Sequence, residues 1–288
     1  MGKWIIAVRL KTLTAAISPV LLGTALSHHD GSFILFTFLM TLLAAVLIQI
    51  GSNFANDVYD YQRGTDRDDR LGPKRATQSG LITPEKMKQA MWRIFALAIC
   101  VGFYLAWIGG WPIVFIGLSS IAAGIAYTGG PYPLGYHGWG DMFVFIFFGL
   151  IAVPGTYYLQ AGTITSLSLW MGAVMGLLST AILVVNNLRD AHTDVISGKK
   201  TLAVRFGETF SKIQYALLIL IPFSLPIYLW WKLDNELSLL LTLFSLPIAT
   251  HLIVQIFTTA GMELNYVLIR TARFLFIFTL LFSAGIIL

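Results

Sequence analysis

The segment 53-NFANDVYDYQRGTDRDDRLGPKRATQSG-80 packs five Asp and five Lys or Arg into twenty-eight residues at the end of an apolar run. Asn56, Asp57 and Asp60 follow Asn53 by three, four and seven positions. At about 3.6 residues per turn, the four fall within roughly 100° of one helix face. A second segment, 186-NNLRDAHTDVISGKKTLAVRFG-207, spaces Asn186, Asp190 and Asp194 four apart and so also aligns them on one face. Carboxylates and amide oxygens in this pattern suit a hard divalent cation. Mg2+ takes oxygen ligands and is commonly held by one or two carboxylates together with substrate phosphates. Two such faces opposed across a cavity can hold two Mg2+ ions bridged by a diphosphate. A basic loop follows each face, with Arg63, Arg67, Arg70, Lys74 and Arg75 after the first and Lys199, Lys200 and Arg205 after the second. Such groups neutralise phosphate oxygens. The plain alternative is that the acids pair with neighbouring bases in ordinary loops. It is preferred for Asp68 and Asp69 but does not account for two aligned Asn/Asp faces.

The elements that carry these faces are membrane helices. Of 288 residues, 57% are hydrophobic and 11% charged, against about 25% charged in soluble domains. Apolar runs near the roughly 20 residues that cross a bilayer recur at 11–28, 33–56, 88–108, 111–128, 141–160, 165–187, 212–231, 237–259 and 268–288. With the N-terminus inside, every Lys and Arg except Lys232 falls in an inner segment or an adjoining helix end, as the positive-inside rule requires. Trp107, Trp111, Trp230 and Trp231 then fall at outer ends. The basic pI of about 9.3 is thereby assigned to topology, and a nucleic-acid partner is set aside. Single Cys100 excludes an intrachain disulfide.

With those helices in place, the motifs resemble a known family. Segments 56-NDVYDYQRGTD-66 and 190-DAHTD-194 are similar to the two aspartate motifs of the UbiA-type intramembrane prenyltransferases. Segments 9-RLKTLTAAISPVLLG-23, 64-GTDRDDRLGPKRATQSGLIT-83 and 127-YTGGPYPLGYHGWGD-141 resemble the branch that prenylates 1,4-dihydroxy-2-naphthoate. The resemblance implies an all-α bundle of nine transmembrane helices around a central cavity, capped by cytoplasmic loops. It also implies a polyprenyl diphosphate donor, an aromatic acceptor and Mg2+. By carry-over, Asn56, Asp60, Asn186, Asp190 and Asp194 surround the metal-bound diphosphate, and Asp57 ligates or orients. Asn53 is placed by the helical face alone. Where relatives have a third Asp, this chain has Gly64; Asp66 either swings back into the site or caps the loop. Residues 127–141 contain no Lys, so phosphate contacts are expected from Arg63, Lys74, Arg75, Lys199 and Lys200.

The expected chemistry is ionisation of the allylic diphosphate, attack by the acceptor ring and, for a dihydroxynaphthoate, loss of CO2. Tyr59, Tyr127 and Tyr132 are candidates to shield the allylic cation through their π-faces. Arg9 and Lys11 are candidates for the acceptor carboxylate, with lipid-headgroup contact an equal alternative. A base remains open among Asp66, Asp141 and a Tyr. The turn-rich segment 129–140 is either a lid or a connector. One domain is expected, with half-repeats at roughly 1–130 and 131–288. It sits in a bacterial inner membrane, with the N-terminus and site loops cytoplasmic and the C-terminus outside. The partners are the two substrates and the lipid bilayer, with no obligatory protein partner. The nearest alternative is the same chemistry on 4-hydroxybenzoate. A transporter is the remote one, disfavoured because the acids cluster at the inner mouth instead of mid-span.

Overall fold

A computed structural model describes residues 2–66, 70–232 and 236–288. Arg67, Asp68 and Asp69, singled out above, lie outside the described residues. All regular structure among the described residues is helical. The elements are α1 (Gly2–Val8), α2 (Leu10–His29), α3 (Leu35–Gln62), α4 (Pro84–Ala126), α5 (Gly140–Ala161), α6 (Ser166–Ile196), α7 (Leu202–Lys232), α8 (Leu237–Thr258) and α9 (Gly261–Ile287). The last eight are each long and apolar enough to cross a membrane. The large exposed side chains Phe103, Trp107 and Phe115 belong to a surface that meets lipid tails. This is a multi-pass membrane protein.

α4 is a hairpin. Its 43 residues would extend about 65 Å as one rod, twice the roughly 30 Å hydrocarbon core. Gly110 breaks it at φ 66°, ψ −158°, a conformation open to glycine and strained for other residues. Phe95 before the break and Ile121 and Ile125 after it pack in one cluster with Phe54 and Val58 of α3. Leu105 and Ile113, flanking the break, share a different one. A straight helix would hold Phe95 and Ile125 about 45 Å apart; instead the chain turns back, between the spans expected at 88–108 and 111–128. Thr83 starts α4 by accepting from the Lys86 N–H at 3.4 Å, with Pro84 at the first helical position.

Helices α2, α6 and α9 form the main core through Leu22, Met175, Leu178, Phe274 and Phe278, all fully buried. α5 packs against α6 with no space for a side chain between them. A Cβ on Gly176 would lie 2.6 Å from the Phe145 carbonyl oxygen, and one on Gly149 would lie 2.5 Å from that of Gly172. The small residues of 172-GAVMGLLS-179 therefore serve close helix approach.

The observed helices outrun the apolar spans at the loop-bearing end. α3 continues to Gln62 and α6 to Ile196, beyond the expected ends at 56 and 187. Hydropathy ends where lipid ends, whereas backbone hydrogen bonding continues. The aspartates of both faces, Asp57, Asp60, Asp190 and Asp194, lie on those extra turns. Residues 2–8, expected only as an inner segment, form a short helix whose Trp4 ring packs 5.8 Å from that of Phe54.

Candidate active site

The two acidic helices end in the same way. At α3, the Gly64 N–H donates to the Tyr61 carbonyl at 3.0 Å and the Thr65 N–H to the Asp60 carbonyl at 3.0 Å. At α6, the Gly198 N–H donates to Val195 at 3.1 Å and the Lys199 N–H to Asp194 at 2.9 Å. Gly64 and Gly198 are left-handed, at φ 70° and 74°, so each end is a Schellman motif. This geometry matches Asp60 to Asp194 and Asn56 to Asp190, a four-residue shift from the register suggested by the shared Asn-x-x-x-Asp spacing. Each final Asp sits at the negative end of a helix dipole, where a cation is favoured.

Those cations come from the loops. Lys199 Nζ lies 3.7 Å from Asp60 Oδ1 and 3.9 Å from Asp194 Oδ1, so one ammonium bridges the two helix ends. Arg75 Nη2 is 3.2 Å from Asp60 Oδ2, and its Nε is 3.4 Å from Asp66 Oδ1. Arg70 reaches the same Asp66 oxygen at 3.4 Å. Arg189 clamps Asp190 with two bonds, Nε to Oδ1 at 2.7 Å and Nη2 to Oδ2 at 2.5 Å, and also donates to Asn186 Oδ1 at 2.8 Å. The Tyr136 hydroxyl donates to Asp60 Oδ1 at 2.8 Å. Burial, then the Asp60 charge, raises the Tyr136 phenol above its ordinary value, which keeps it a donor. Burial, then the same Asp60 charge, pushes the Asp66 carboxyl up to about 7.

These groups meet in a cavity of about 1090 Å³. Its loop-bearing end carries Asn56, Asp60, Asp66, Asn186, Asp190 and Asp194 together with Lys74, Arg75 and Lys199. Arg9, Lys11, Asn53 and Tyr127 line it as well. The opposite end is apolar, formed by Leu105, Ile113, Phe147, Phe148 and Leu159. Asp66 does swing back, because the left-handed Gly64 turns the chain toward Arg75. Segment 129–140 delivers Tyr136 into the cavity and is tied down by the Lys200 N–H donating to the Tyr136 carbonyl at 2.8 Å.

Six expected positions fall outside the lining. Asp57 turns to the edge of its helix face and accepts the Ala76 and Thr77 N–H groups at 3.1 and 2.9 Å, which anchors the basic loop. Arg63 donates to the Thr128 and Gly130 carbonyls, which occupies its guanidinium on the following loop. Lys200 is exposed. Tyr59 packs against the α3–α4 core, and an exposed Tyr132 stacks on His137 at 3.7 Å between ring centroids. Asp141 accepts from Gln214 at 2.7 Å. Conversely, Tyr136, Arg189 and Thr65 line the site without having been assigned to it, and Arg70, read above only as part of the basic loop, lines it too. Arg189 had a visible signal: it lies inside 186-NNLRD-190, flush with the ligand face.

Asn53 holds the entry of α2 in place, donating to the Val8 carbonyl at 2.8 Å and the Thr12 hydroxyl at 2.9 Å. Arg9 joins α1 to α2 in a left-handed conformation, φ 54°, which aims its side chain at Asp57, 4.0 Å away.

Among the described residues, no three His, Cys, Asp or Glu side chains gather as a self-sufficient metal site would require. The donors instead come as carboxylates supplemented by Asn amide oxygens. Among the described residues, buried Asp66 Oδ2, Arg75 Nη1 and Arg9 Nη2 have no hydrogen-bond partner. Orphaned buried groups of both signs in one cavity fit a ligand that is itself of mixed charge, such as a divalent cation with phosphate oxygens.

The UbiA prenyltransferase family model matches residues 16–277. The 1,4-dihydroxy-2-naphthoate octaprenyltransferase of Escherichia coli (strain K12) is 40% identical over 223 residues, covering 75% of this chain and 72% of that protein. The enzyme of the same name from Haemophilus influenzae is 33% identical, covering 99% of this chain and 96% of that protein. Among solved structures, a UbiA homolog from Archaeoglobus fulgidus bound to GPP and Mg2+ has the same fold, with a TM-score of 0.65 at 15% identity over 98% of this chain and 99% of that one.

Proposed function

The chain belongs to the UbiA prenyltransferase family, and we propose that it transfers a polyprenyl group from an allylic diphosphate to 1,4-dihydroxy-2-naphthoate, releasing CO2 and diphosphate. The observation that carries this reading is the joining of the two acidic helix ends across one cavity by Lys199. The Escherichia coli and Haemophilus influenzae relatives, which cover 75% and 99% of this chain, bear the name of that activity.

Asp60, Asp190 and Asp194, with Asn56 and Asn186, would hold the Mg2+. When bound there, the metal withdraws charge from the diphosphate as the C–O bond breaks. Lys199, Arg75 and Lys74 face the oxygens on which negative charge grows and stabilise it. Tyr136 keeps Asp60 in place, and the apolar end takes the isoprenoid tail. At about 0.8 kcal/mol per buried CH2, that tail stays out of water. Tyr127, Phe147 and Phe148 line the cavity and offer π-faces to a nascent allylic cation.

Electron and atom balance favours the naphthoate. The C–O bond electrons leave with diphosphate, and the ring carbon bearing the carboxylate forms the new C–C bond. The electrons of its C–CO2 bond then restore the aromatic ring as CO2 departs. No ring proton has to be abstracted, and among the described residues no His lines the cavity. Arg9 and Lys11, at the cavity wall, would bind the acceptor carboxylate. The second reading, transfer to 4-hydroxybenzoate, requires a proton acceptor; Asp66, with its orphaned Oδ2, favours that reading. We place the protein in a bacterial inner membrane with the cavity mouth cytoplasmic, in accord with the Lys and Arg of the loops.

The deciding assay gives the purified protein Mg2+, a polyprenyl diphosphate and one acceptor at a time. CO2 and a prenylated naphthol with dihydroxynaphthoate alone are expected. Product with 4-hydroxybenzoate alone would replace this reading with the second.

A further inference from the structure

Asn265 lies on α9, in a part of the chain where no motif directs attention. Both donors of its carboxamide are used, and its oxygen accepts one bond. Oδ1 accepts from Arg189 Nη1 at 2.8 Å, and Nδ2 donates to the Leu71 carbonyl at 2.9 Å and the Met262 carbonyl at 2.9 Å. The amide orientation is unambiguous. Flipping it would press an NH2 against a guanidinium and an oxygen against two carbonyls.

The two long-range partners belong to opposite halves of the site. Arg189 is the clamp on Asp190 and Asn186. Leu71 belongs to the loop that brings Arg70, Lys74 and Arg75 to the cavity. The same loop presses on the clamp itself, since a Cβ on Gly72 would lie 2.7 Å from Arg189 Nη2 and 3.1 Å from its Cζ. No side chain fits there. The guanidinium of Arg189, whose side chain is 1% exposed, is thus held by α6 carboxylate and amide oxygens on one side, by Asn265 on another and by the backbone of Gly72.

We infer that Asn265, acting through Arg189 and Leu71, is a positioning residue that sets the separation between the metal-binding carboxylate of Asp190 and the phosphate-binding cations of the 70–75 loop. The inference rests on the reading of Asp190 as a metal ligand under Proposed function. A partner of this kind, one bond removed from a ligand, typically changes metal affinity or activity by about 10- to 100-fold when lost. Arg9 and Lys11, proposed above for the acceptor carboxylate, share no hydrogen bond with Asn265, Arg189 or Leu71 among the described residues, so acceptor binding is expected to be left alone. A purely structural residue would lower stability and affect both substrates alike.

The test compares Asn265→Leu, Gly72→Ala and Asp190→Ala in the purified full chain, using dihydroxynaphthoate and geranyl diphosphate as substrates. Asn265→Leu and Gly72→Ala are each expected to raise the KM for the diphosphate and the Mg2+ concentration for half-maximal rate by about tenfold, with acceptor KM unchanged. Asn265→Asp retains the bond to Arg189 but sets an oxygen against the Leu71 carbonyl, so it is expected to share the defect. Gly72→Ala decides the matter if Asn265→Leu fails to fold. Unchanged diphosphate KM and Mg2+ requirement in a folded Gly72→Ala or Asn265→Leu protein would overturn the inference, as would an equal rise in both substrates' KM. Asp190→Ala separates the two levels. If it stays active with an ordinary Mg2+ requirement, the site reading fails; if it is inactive while the strut variants behave as wild type, only the strut fails.

Discussion

Asp60 and Asp194, on different helices, share a single ammonium group: Lys199 Nζ stands 3.7 Å from one carboxylate and 3.9 Å from the other. Both carboxylates are buried, at 2% and 6% exposed. Two such charges at the negative ends of two helices repel unless a cation intervenes. In this arrangement the protein's own bases hold the place that a divalent cation and its phosphates would take.

Replacing Lys199 by Met is therefore expected to destabilise the metal-free protein by about 3 kcal/mol, the scale of breaking a buried pair. Added Mg2+ recovers most of that loss. Thermal melting in EDTA and in Mg2+ checks it. A metal-free melting temperature equal to wild type would contradict the bridging role.

Asp57 and Asp60, neighbours in one motif, are expected to fail differently. Asp57→Ala strands the Ala76 and Thr77 N–H groups, costing about 1–3 kcal/mol of stability while the Mg2+ requirement stays near wild type. Asp60→Ala nearly abolishes turnover in a protein that still inserts and purifies. Paired melting and turnover measurements separate the two. A normal melting temperature with lost metal response in Asp57→Ala would return it to the ligand set.

Tyr136→Phe removes one of the donors that orient Asp60. The Mg2+ concentration at half-maximal rate is expected to rise by about tenfold, with little change in melting, because the ring still packs beneath Lys199 at 4.7 Å. An unchanged Mg2+ titration would make the hydroxyl incidental.

Gly176→Ala places a Cβ 2.6 Å from the Phe145 carbonyl oxygen, a backbone atom that cannot swing aside. A loss of about 1–3 kcal/mol is expected, read as a lower melting temperature in detergent. Gly102, where a Cβ meets nothing within 4 Å, is expected to tolerate the same change. Equal effects at both positions would contradict the packing account.

Much of this was legible in the sequence because it rests on periodicity. The four-residue spacing of Asn186, Asp190 and Asp194 survives folding intact on one cavity wall. For Asp57 the motif leaves ligating and orienting both open, because a position near the edge of a helix face can serve either side; the loop at Ala76 and Thr77 supplies its hydrogen-bond partners. Tyr136 and Asn265 were hidden for a related reason. Their roles come from loop trajectories and from contacts such as Asn265 with Leu71, which no local pattern encodes. Tyr59 and Tyr132 lie near the motifs in sequence but outside the cavity wall, since proximity along a chain does not fix the direction of a side chain.

The claim on which the rest depends is that Asp60 and Asp194 grip one diphosphate together through a divalent cation. Calorimetric titration of the purified protein with geranyl diphosphate, acceptor omitted, measures this directly in Mg2+ and in EDTA. Binding is expected in Mg2+ only, and it is expected to vanish in both Asp60→Ala and Asp194→Ala. Undiminished binding in EDTA, or in either variant, would contradict the account.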